Sequence, residues 1–428
     1  MTGPDVDEAI TTVWRRESPR VVAGLVRMTS DVALAEDLAQ DALVAALEQW
    51  PGAGVPDNPG AWLMAVAKRR AVDAFRRAER DRARQEQLGH HLARDTGKEE
   101  EHMPDLDAAV DFIEDDQVRL MFISCHPVLP VQSRVALTLR LLGGLTTAEV
   151  ARALLADERA VAQRIVRAKR TLASAHVPFE VPTGADRAAR VSAVLEVVYL
   201  IFTEGYAATA GDDWTRPTLC QQAIRLAGLL AELAPTEAET HGLLALLQLQ
   251  ASRLPARTSS TGEPVLLRDQ DRSRWNALLI RRGQQALAEA HRRSATPGKY
   301  TLQAEIAACH ARAASVEDTD WRRIATLYDR LASAAPSPVV EVNRAVAHGM
   351  AYGPTAGLAV LDAVRHNPAL RSYHLLPSVR ADLLSRLGRH DEARRELELA
   401  AALARNIQER ALLQRRSTAA SSREQDHD

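Results

Sequence analysis

Hydrophobic positions along the 428-residue chain recur at helical spacing almost throughout. Alanine, leucine, arginine and glutamate dominate the sequence, and alternating runs of β-branched residues are scarce. The pattern breaks at an acidic stretch from Asp95 to Asp116 and again at VPFEVPTGAD, residues 177–186. Proline and glycine in these two stretches interrupt helices. The pattern therefore predicts an all-α fold divided into several helical units.

These breaks predict the following organisation: a helical unit at 6–88, an acidic linker at 89–115, a short helical unit at 116–175, a longer helical region at 186–416 and a disordered polar tail at 417–428. The longer region carries the small and large residues of a tetratricopeptide helix pair at Ala381, Leu384, Gly388, Ala393, Leu397 and Ala400. Shifting the sequence by 34 residues aligns Ala347 with Ala381 and Ala359 with Ala393. WRRIATLYDRL at 321–331 is typical of the second helix of such a pair. We expect stacked helical hairpins here.

Two closely spaced helices are predicted between Leu145 and Leu172. Thr146 and Glu149 form a capping box for the first helix, and Asp157 is an N-cap for the second. The second helix has a predicted buried stripe at Val161, Ile165, Ala168 and Leu172, and an opposite face with Arg159, Gln163, Arg167 and Arg170. This is a helix-turn-helix whose cationic, amide-bearing face suits major-groove DNA. The alternative is an ordinary helical hairpin with a solvated face.

Two further stretches have marked local charge. Residues 68–84 contain eight basic and three acidic side chains, which suits a phosphate backbone, although an arginine-rich surface helix has the same pattern. Trp62 precedes this cluster and is expected in the core rather than stacked on a base. AEDLAQDALVAALEQW, residues 35–50, is an amphipathic helix with one polar, acidic face, which is consistent with a docking site or a plain surface helix.

The composition and motifs of the chain exclude several classes of function. The net charge of −2 shows no global basic field, so any nucleic-acid contact has to be local. Cys125, Cys220 and Cys309 lie far apart and are expected to be buried thiols, not disulfide or zinc ligands. The sequence contains no motif of a nucleotide-binding protein, a hydrolase or a metalloprotease. His90, His91 and Asp95 are close in sequence but make a poor metal site. We therefore expect no enzyme activity, no catalytic residue, no metal and no cofactor. An acidic N-terminus without an apolar signal core, and the lack of long apolar runs, predict a cytoplasmic protein.

In this order, AEDLAQDALVAALEQW, NPGAWLMAVAKRRAVDAFRR and Leu145–Leu172 resemble the extracytoplasmic-function sigma factors over residues 6–175. The resemblance implies docking on core RNA polymerase, at the largest-subunit coiled coil and the flap, and binding to promoter DNA. The implied polymerase-binding residues are Asp37, Gln40, Asp41, Val44 and Glu48. The implied minus-ten residues are Lys68, Arg69, Arg70, Arg76 and Arg77, and the implied minus-thirty-five residues are Thr147, Arg159, Gln163, Arg164, Arg167 and Arg170. The acidic linker would thread the polymerase's basic cleft and RNA exit path, although alone it reads as a solvated spacer.

Two positions depart from the family pattern. Arg69 stands where the family often has asparagine, and the usual glycine of the helix-turn-helix turn is replaced near Leu155. Because of these departures the promoter sequence cannot be predicted, but the expected fold is unchanged.

The C-terminal half resembles the tetratricopeptide-like extension of a sigma-factor subgroup, through YLIFTEGY (199–206), LCQQAIRLAGLL (219–230) and LLRDQDRSRWN (266–276). The implied role is control of sigma activity through a regulatory protein or ligand. Asp269, Gln270, Asp271, Arg272 and Arg274 beside Trp275 form either a ligand or partner site or a buried scaffold. Two alternatives to a sigma factor are a one-component helix-turn-helix regulator with a helical sensor and a tetratricopeptide adaptor that does not bind DNA.

Overall fold

A computed structural model describes residues 3–89, 113–154, 156–208, 214–260 and 262–425. Within these ranges the protein is built from helices and turns, with one isolated bridge between Thr258 and Pro264, which confirms the all-α prediction. Most of the expected linker, with His90, His91 and Leu155, lies outside the described residues. The chain divides into two compact units, Met1–Val197 and Val198–Asp428.

The N-terminal unit starts with three long helices: α1 (Gly3–Thr29), α2 (Val32–Ala53) and α3 (Pro59–Gly89). The carboxylate of Asp31 caps α2 by accepting hydrogen bonds from the amides of Ala33 and Leu34. Each of the three helices packs on the other two. Their shared core contains Leu25, Trp50 and Leu63, all almost fully buried. These helices account for the unit predicted at 6–88.

Four shorter helices follow: α4 (Ile113–Ser124), α5 (Val131–Leu141), α6 (Thr147–Ala153) and α7 (Glu158–Ser174). Gly144 turns the chain between α5 and α6 with a φ of +65°. A Cβ there would also lie 3.0 Å from the carbonyl oxygen of Arg15, so both the backbone conformation and the space favour glycine. This turn brings α6 close to α1.

The C-terminal unit continues from α8 (Gly184–Tyr206), which spans the division between the units. Its further helices are α9 (Pro217–Leu233), α10 (Ala238–Ala251), α11 (Ala277–Arg293), α12 (Lys299–Arg312), α13 (Trp321–Ala334), α14 (Pro338–Tyr352), α15 (Pro354–Val364), α16 (Leu375–Ser385), α17 (His390–Leu403) and α18 (Ile407–Gln425). From α12 onward each helix packs on the next in sequence. This arrangement is the predicted stack of helical hairpins.

The predicted repeat is confirmed in one hairpin and fails in the preceding one. In α16 and α17, Ala381, Leu384, Ala393 and Leu397 are buried, and Gly388 lies in the turn at a φ of +75°. Shifting by 34 residues correctly predicts buried Ala347 in α14 but not Ala359 in α15, which is exposed. One residue, Gly353, separates α14 from α15, whereas Arg386–Arg389 separates α16 from α17. The shorter turn changes the register of the second helix.

The structure differs from two expected boundaries. The compact units divide at Val197, inside α8, rather than in the proline-containing segment before it. The start of α8 packs on the N-terminal unit, where Arg190 donates to the carbonyl of Phe122 at 3.1 Å. At the other end, α18 extends to Gln425 across most of the segment predicted to be disordered. Leu413 anchors α18 in the core, and the helix-forming residues after it continue the helix.

Candidate nucleic-acid and protein interfaces

One face of α2 is polar and exposed. Asp37, Gln40, Asp41, Val44 and Glu48 all lie on this exposed face. The opposite side packs inward through Leu38, Ala42 and Ala45, and Leu34 is half-buried. Leu47, which the sequence reading did not select, is 45% exposed next to Val44, itself 48% exposed. The α2 face therefore offers carboxylates, an amide and two apolar side chains, a mixture suited to a protein partner.

The α2 face meets α3 in a polar groove. A carboxylate oxygen of Asp41 lies 3.1 Å from a guanidinium nitrogen of Arg70. Asp37, Asp73 and Arg77 also line this groove. A predicted polymerase-binding residue and a predicted minus-ten residue are therefore in direct contact.

The basic residues of α3 do not all point into solvent. Arg69, Arg76 and Arg77 are exposed, whereas Lys68 and Arg70 are half-buried. Arg77 donates to the carbonyl of Asp73 at 3.2 Å, along the helix surface. The exposed arginines leave a cationic strip on α3 that can approach phosphates.

Trp62 lies where α3 begins and is half-buried. Its ring packs edge-on against the buried ring of Trp50 on α2, with 5.3 Å between the centroids. Trp62 therefore lies at the edge of the core rather than inside it, and its contact with Trp50 fixes α3 against α2.

The helix-turn-helix forms as its pattern predicts. Thr146 and Glu149 make the capping box of α6, and the Asp157 carboxylate accepts the amide of Ala160 to cap α7. The buried residues of α7 are Val161, Ile165, Ala168 and Leu172. Its exposed face carries Arg159, Gln163, Arg167 and Arg170, with Arg164 and the α6 residue Thr147 half-buried. The fold therefore presents this cationic face to solvent.

Glu36, on the side of α2 away from the exposed face, was not selected from the sequence. Its side chain is 6% exposed and forms ion pairs with Arg140 of α5, at 2.5 Å, and with Lys169 of α7. Burial alone would raise the pKa of the Glu36 carboxyl, but Arg140 and Lys169 outweigh it and hold that pKa below its ordinary value. Glu36 reads as an unremarkable polar position in the helix pattern, so only the tertiary structure identifies it.

A second ion pair joins the same parts of the N-terminal unit. Arg15 of α1 contacts Glu149, the capping-box residue of α6. Glu36 and Glu149 thus connect the first three helices to the helix-turn-helix at two points. Because Glu36 is buried and paired twice, breaking its contacts would leave an uncompensated charge and cost far more than a surface ion pair.

Two residues of the polar cluster in the C-terminal unit, Gln270 and Arg272, are part of the scaffold, whereas Asp269, Asp271 and Arg274 are exposed. Gln270 is buried, accepts from Arg253 at 3.3 Å and donates to the carbonyl of Val265 at 3.1 Å. Arg272 donates to the carbonyls of His310 and Ala313 at 2.6 and 2.8 Å and stacks on Trp275. These contacts fix the 266–276 segment against the neighbouring helices.

The three cysteines are free and buried, as predicted. Burial raises the pKa of Cys125 to about 11 and that of Cys220 to about 12, so neither thiol is a reactive nucleophile. Within the described residues, no group of three or more histidine, cysteine or acidic side chains could hold a metal ion. In the same part of the chain no helix is long and apolar enough to cross a membrane.

Comparisons with known families find matches to both parts of the N-terminal unit. Sigma-70 region 2 matches residues 13–81, which contain the acidic face of α2 and the basic strip of α3. Sigma-70 region 4 matches residues 119–172, which contain the helix-turn-helix. The chain belongs to the extracytoplasmic-function sigma factors. As an alternative sigma factor it binds core RNA polymerase and directs recognition of promoter DNA at transcription initiation.

The sigma factor has a C-terminal extension, in which residues 190–291 match a family of unknown function, DUF6596. It is 42% identical to an uncharacterized protein of Rhizobium meliloti (strain 1021) over 398 residues, 92% of each chain. No solved structure matches it. The two sigma regions belong to families that are not enzymes. Neither a one-component regulator nor a tetratricopeptide adaptor accounts for a region 2 beside a region 4.

Proposed function

We propose that this sigma factor docks on the coiled coil of the polymerase's largest subunit through Asp37, Gln40, Asp41, Val44 and Glu48. The observation that carries this proposal is that all five side chains share the exposed face of α2, while the opposite face is buried at Leu38, Ala42 and Ala45. Exposed Val44 and Leu47 add apolar area to the charged surface. Such mixed surfaces are typical of protein contacts that combine charge complementarity with burial.

The strip on α3 would bind the melted minus-ten strand through Lys68, Arg69, Arg70, Arg76 and Arg77. Unstacking a base costs a few kcal/mol, and stacking or pocket contacts return about 1–3 kcal/mol per base. Capture of unstacked bases would therefore offset much of the cost of opening. The Asp41–Arg70 ion pair would couple polymerase docking to this step.

The face of α7 would read the minus-thirty-five duplex through Arg159, Gln163, Arg164, Arg167 and Arg170, with Thr147 of α6 at its edge. Arginine and glutamine can pair with base edges and phosphates in the major groove. Region 4 would also contact the polymerase flap, and the acidic linker would pass through the basic cleft between the two regions.

Binding both promoter elements requires the N-terminal unit to open. Elements about two helical turns apart are separated by roughly 70 Å. A compact unit of about 200 residues has a radius of gyration of only about 16 Å. The contacts of Glu36 with Arg140 and Lys169 would therefore hold a closed form that separates when the sigma factor assembles on polymerase.

The C-terminal unit would control this sigma activity in the cytoplasm, in response to a regulatory protein or ligand. Support comes from its continuity with α8, whose first residues pack on region 4 at Phe122 while its last residues belong to the C-terminal unit. A signal received by the C-terminal unit thus has a helical connection to the DNA-binding part of the chain.

Co-purification with core polymerase tests the docking surface. Asp41→Arg reverses the charge at the centre of the α2 face and is expected to abolish co-purification. Asp57→Arg makes the same charge change at an exposed position between α2 and α3 and should bind normally. Arg70→Ala breaks the same ion pair as Asp41→Arg but leaves the acidic face, so it should retain polymerase and lose promoter opening. Normal polymerase binding by Asp41→Arg would overturn the docking assignment.

A further inference from the structure

The C-terminal unit contains an open cavity of about 530 Å³. Its walls come from α12, α13, α14, α16 and α18, and from Leu266, Leu267, Arg268 and Arg272 of the 266–276 segment. The volume lies in the range of small-molecule sites in proteins, about 300–1,000 Å³. No function described above uses this cavity.

The cavity walls are largely apolar. Leu267, Trp321, Val346, Val379 and Leu383 contribute side chains from four different parts of the fold. Trp321 is held in place because its ring packs edge-on against His310, with 5.2 Å between the centroids. A ligand that fills the cavity would therefore bury an apolar body.

The charged groups of the cavity are mostly cationic. Among the described lining residues there are four arginines and one carboxylate, that of Asp382. Asp382 accepts from Arg268 at 3.0 Å and from Arg416 at 3.3 Å, and Asp269, which does not line the cavity, lies 3.8 Å from Arg268. Arg272 and Arg386 have no ion pair with either carboxylate. Burial and the neighbouring Arg268 lower the pKa of Arg416, although Asp382 and Asp269 oppose that shift. An added anion would improve the charge balance here.

Arg386 is the most available of these cations. It is exposed at the edge of the cavity, and its guanidinium donates to the sulfur of Met350 at 3.2 Å. A thioether is a weak acceptor compared with a carboxylate. An anionic ligand could therefore pair with Arg386 at the cost of only the weak contact with the Met350 sulfur.

A buried polar atom also lies at the cavity. His310 lines it, and the Nδ1 atom of that ring is buried with no hydrogen-bond partner among the described residues. Buried polar atoms in proteins are normally paired, and an unpaired one costs about 1–3 kcal/mol. This atom is closed off from solvent and from the cavity, so a ligand would reach it only after the His310 ring rotated.

We infer that the cavity binds a small organic monoanion with an apolar body, such as an aryl or medium-chain carboxylate. The carboxylate pairs with Arg386, in a cavity that Arg268 and Arg416 also line, and the apolar body packs against Trp321, Val346 and Leu383. Four arginines exclude a metal or organic cation, and the apolar walls disfavour a bare phosphate. The site is a place where the C-terminal unit can receive a chemical signal.

Calorimetry with the full-length chain tests this inference, using octanoate as the probe and 1-octanol and octylammonium as matched ligands. Octanoate is expected to bind at least tenfold more tightly than octanol, and octylammonium is expected not to bind. Arg386→Gln should weaken octanoate at least tenfold, whereas Arg371→Gln, which removes an exposed arginine outside the cavity, should not. Ser378→Phe, placed on the cavity wall, should block octanoate and octanol alike.

Equal affinities for octanoate and octanol would overturn the inference, because the site would then be only an apolar surface. Unchanged octanoate binding by Arg386→Gln would overturn it as well. A site that ignores octanoate but binds the tripeptide Ala-Leu-Leu would be a peptide site instead. Circular dichroism of each variant separates lost binding from lost folding. None of these measurements involves polymerase or DNA, so their outcome is independent of the proposed docking and promoter contacts.

Discussion

Two buried titratable residues show how neighbouring charge determines ionisation in this protein. Glu36 keeps its charge because Arg140 and Lys169 surround it. His310 is also buried, but the charges near it are those of Arg253 and Arg272. Burial and these two cations lower the pKa of His310 to about 3, so the ring is neutral at physiological pH. Neighbouring cations therefore keep the Glu36 carboxylate charged, whereas they keep the His310 ring neutral.

The lowered pKa of His310 predicts a pH-dependent stability. Below pH 6.5 the unfolded chain binds a proton at this histidine and the folded chain does not, so the free energy of unfolding falls as the pH falls. One such group contributes about 1.4 kcal/mol per pH unit, or about 2 kcal/mol between pH 6.5 and 5. Guanidinium unfolding followed by tryptophan fluorescence at pH 7 and pH 5 measures the effect.

His310→Gln should lose less stability between pH 7 and pH 5 than the natural chain, by about 2 kcal/mol. His366→Gln removes an exposed histidine of the same unit and should keep the natural pH dependence. Identical pH dependence in His310→Gln and the natural chain would show that His310 titrates normally in the folded state.

At the scale of an element, α7 combines two functions on different sides. Its outward arginines are available for DNA, while Lys169 is turned to Glu36 of α2. Arg167→Ala together with Arg170→Ala is expected to weaken promoter binding and to lower the slope of log affinity against log salt by about one for each lost phosphate contact. Fluorescence anisotropy of the holoenzyme on promoter DNA across a salt series gives that slope.

The matched control for this pair is Arg281→Ala with Arg282→Ala, which removes two exposed arginines from α11 and the same net charge. It should leave the salt slope unchanged. A slope that is the same for the α7 pair and the natural chain would mean that Arg167 and Arg170 only solvate the surface of α7.

Helix-scale patterns in the sequence predicted most of the fold and the buried and exposed faces of α2 and α7. Periodicity selects the buried stripe of a helix, and capping residues such as Asp157 mark where a helix begins, because both are local effects. Contacts between distant segments are not local, so Glu36 could not be recognised as the partner of Lys169. The cavity was missed for the same reason: Arg268 and Arg386 belong to separate stretches that only the helical stack brings together.

At the scale of the whole molecule, the proposal that the N-terminal unit opens on the promoter predicts that holding α2 and α7 together blocks transcription. Replacing Glu36 and Lys169 with cysteines and joining them with a cleavable bis-methanethiosulfonate spacer would hold α2 and α7 together. Cys125, Cys220 and Cys309 are buried and should not react. The linked protein is expected to lose promoter-dependent transcription with core polymerase, and dithiothreitol should restore it to the level of the unlinked double variant. Each single cysteine variant, treated in the same way, should transcribe with or without reductant. Full transcription by the linked protein would mean that α2 and α7 stay together on the promoter, and that the ion pairs of Glu36 belong to the working form of this sigma factor.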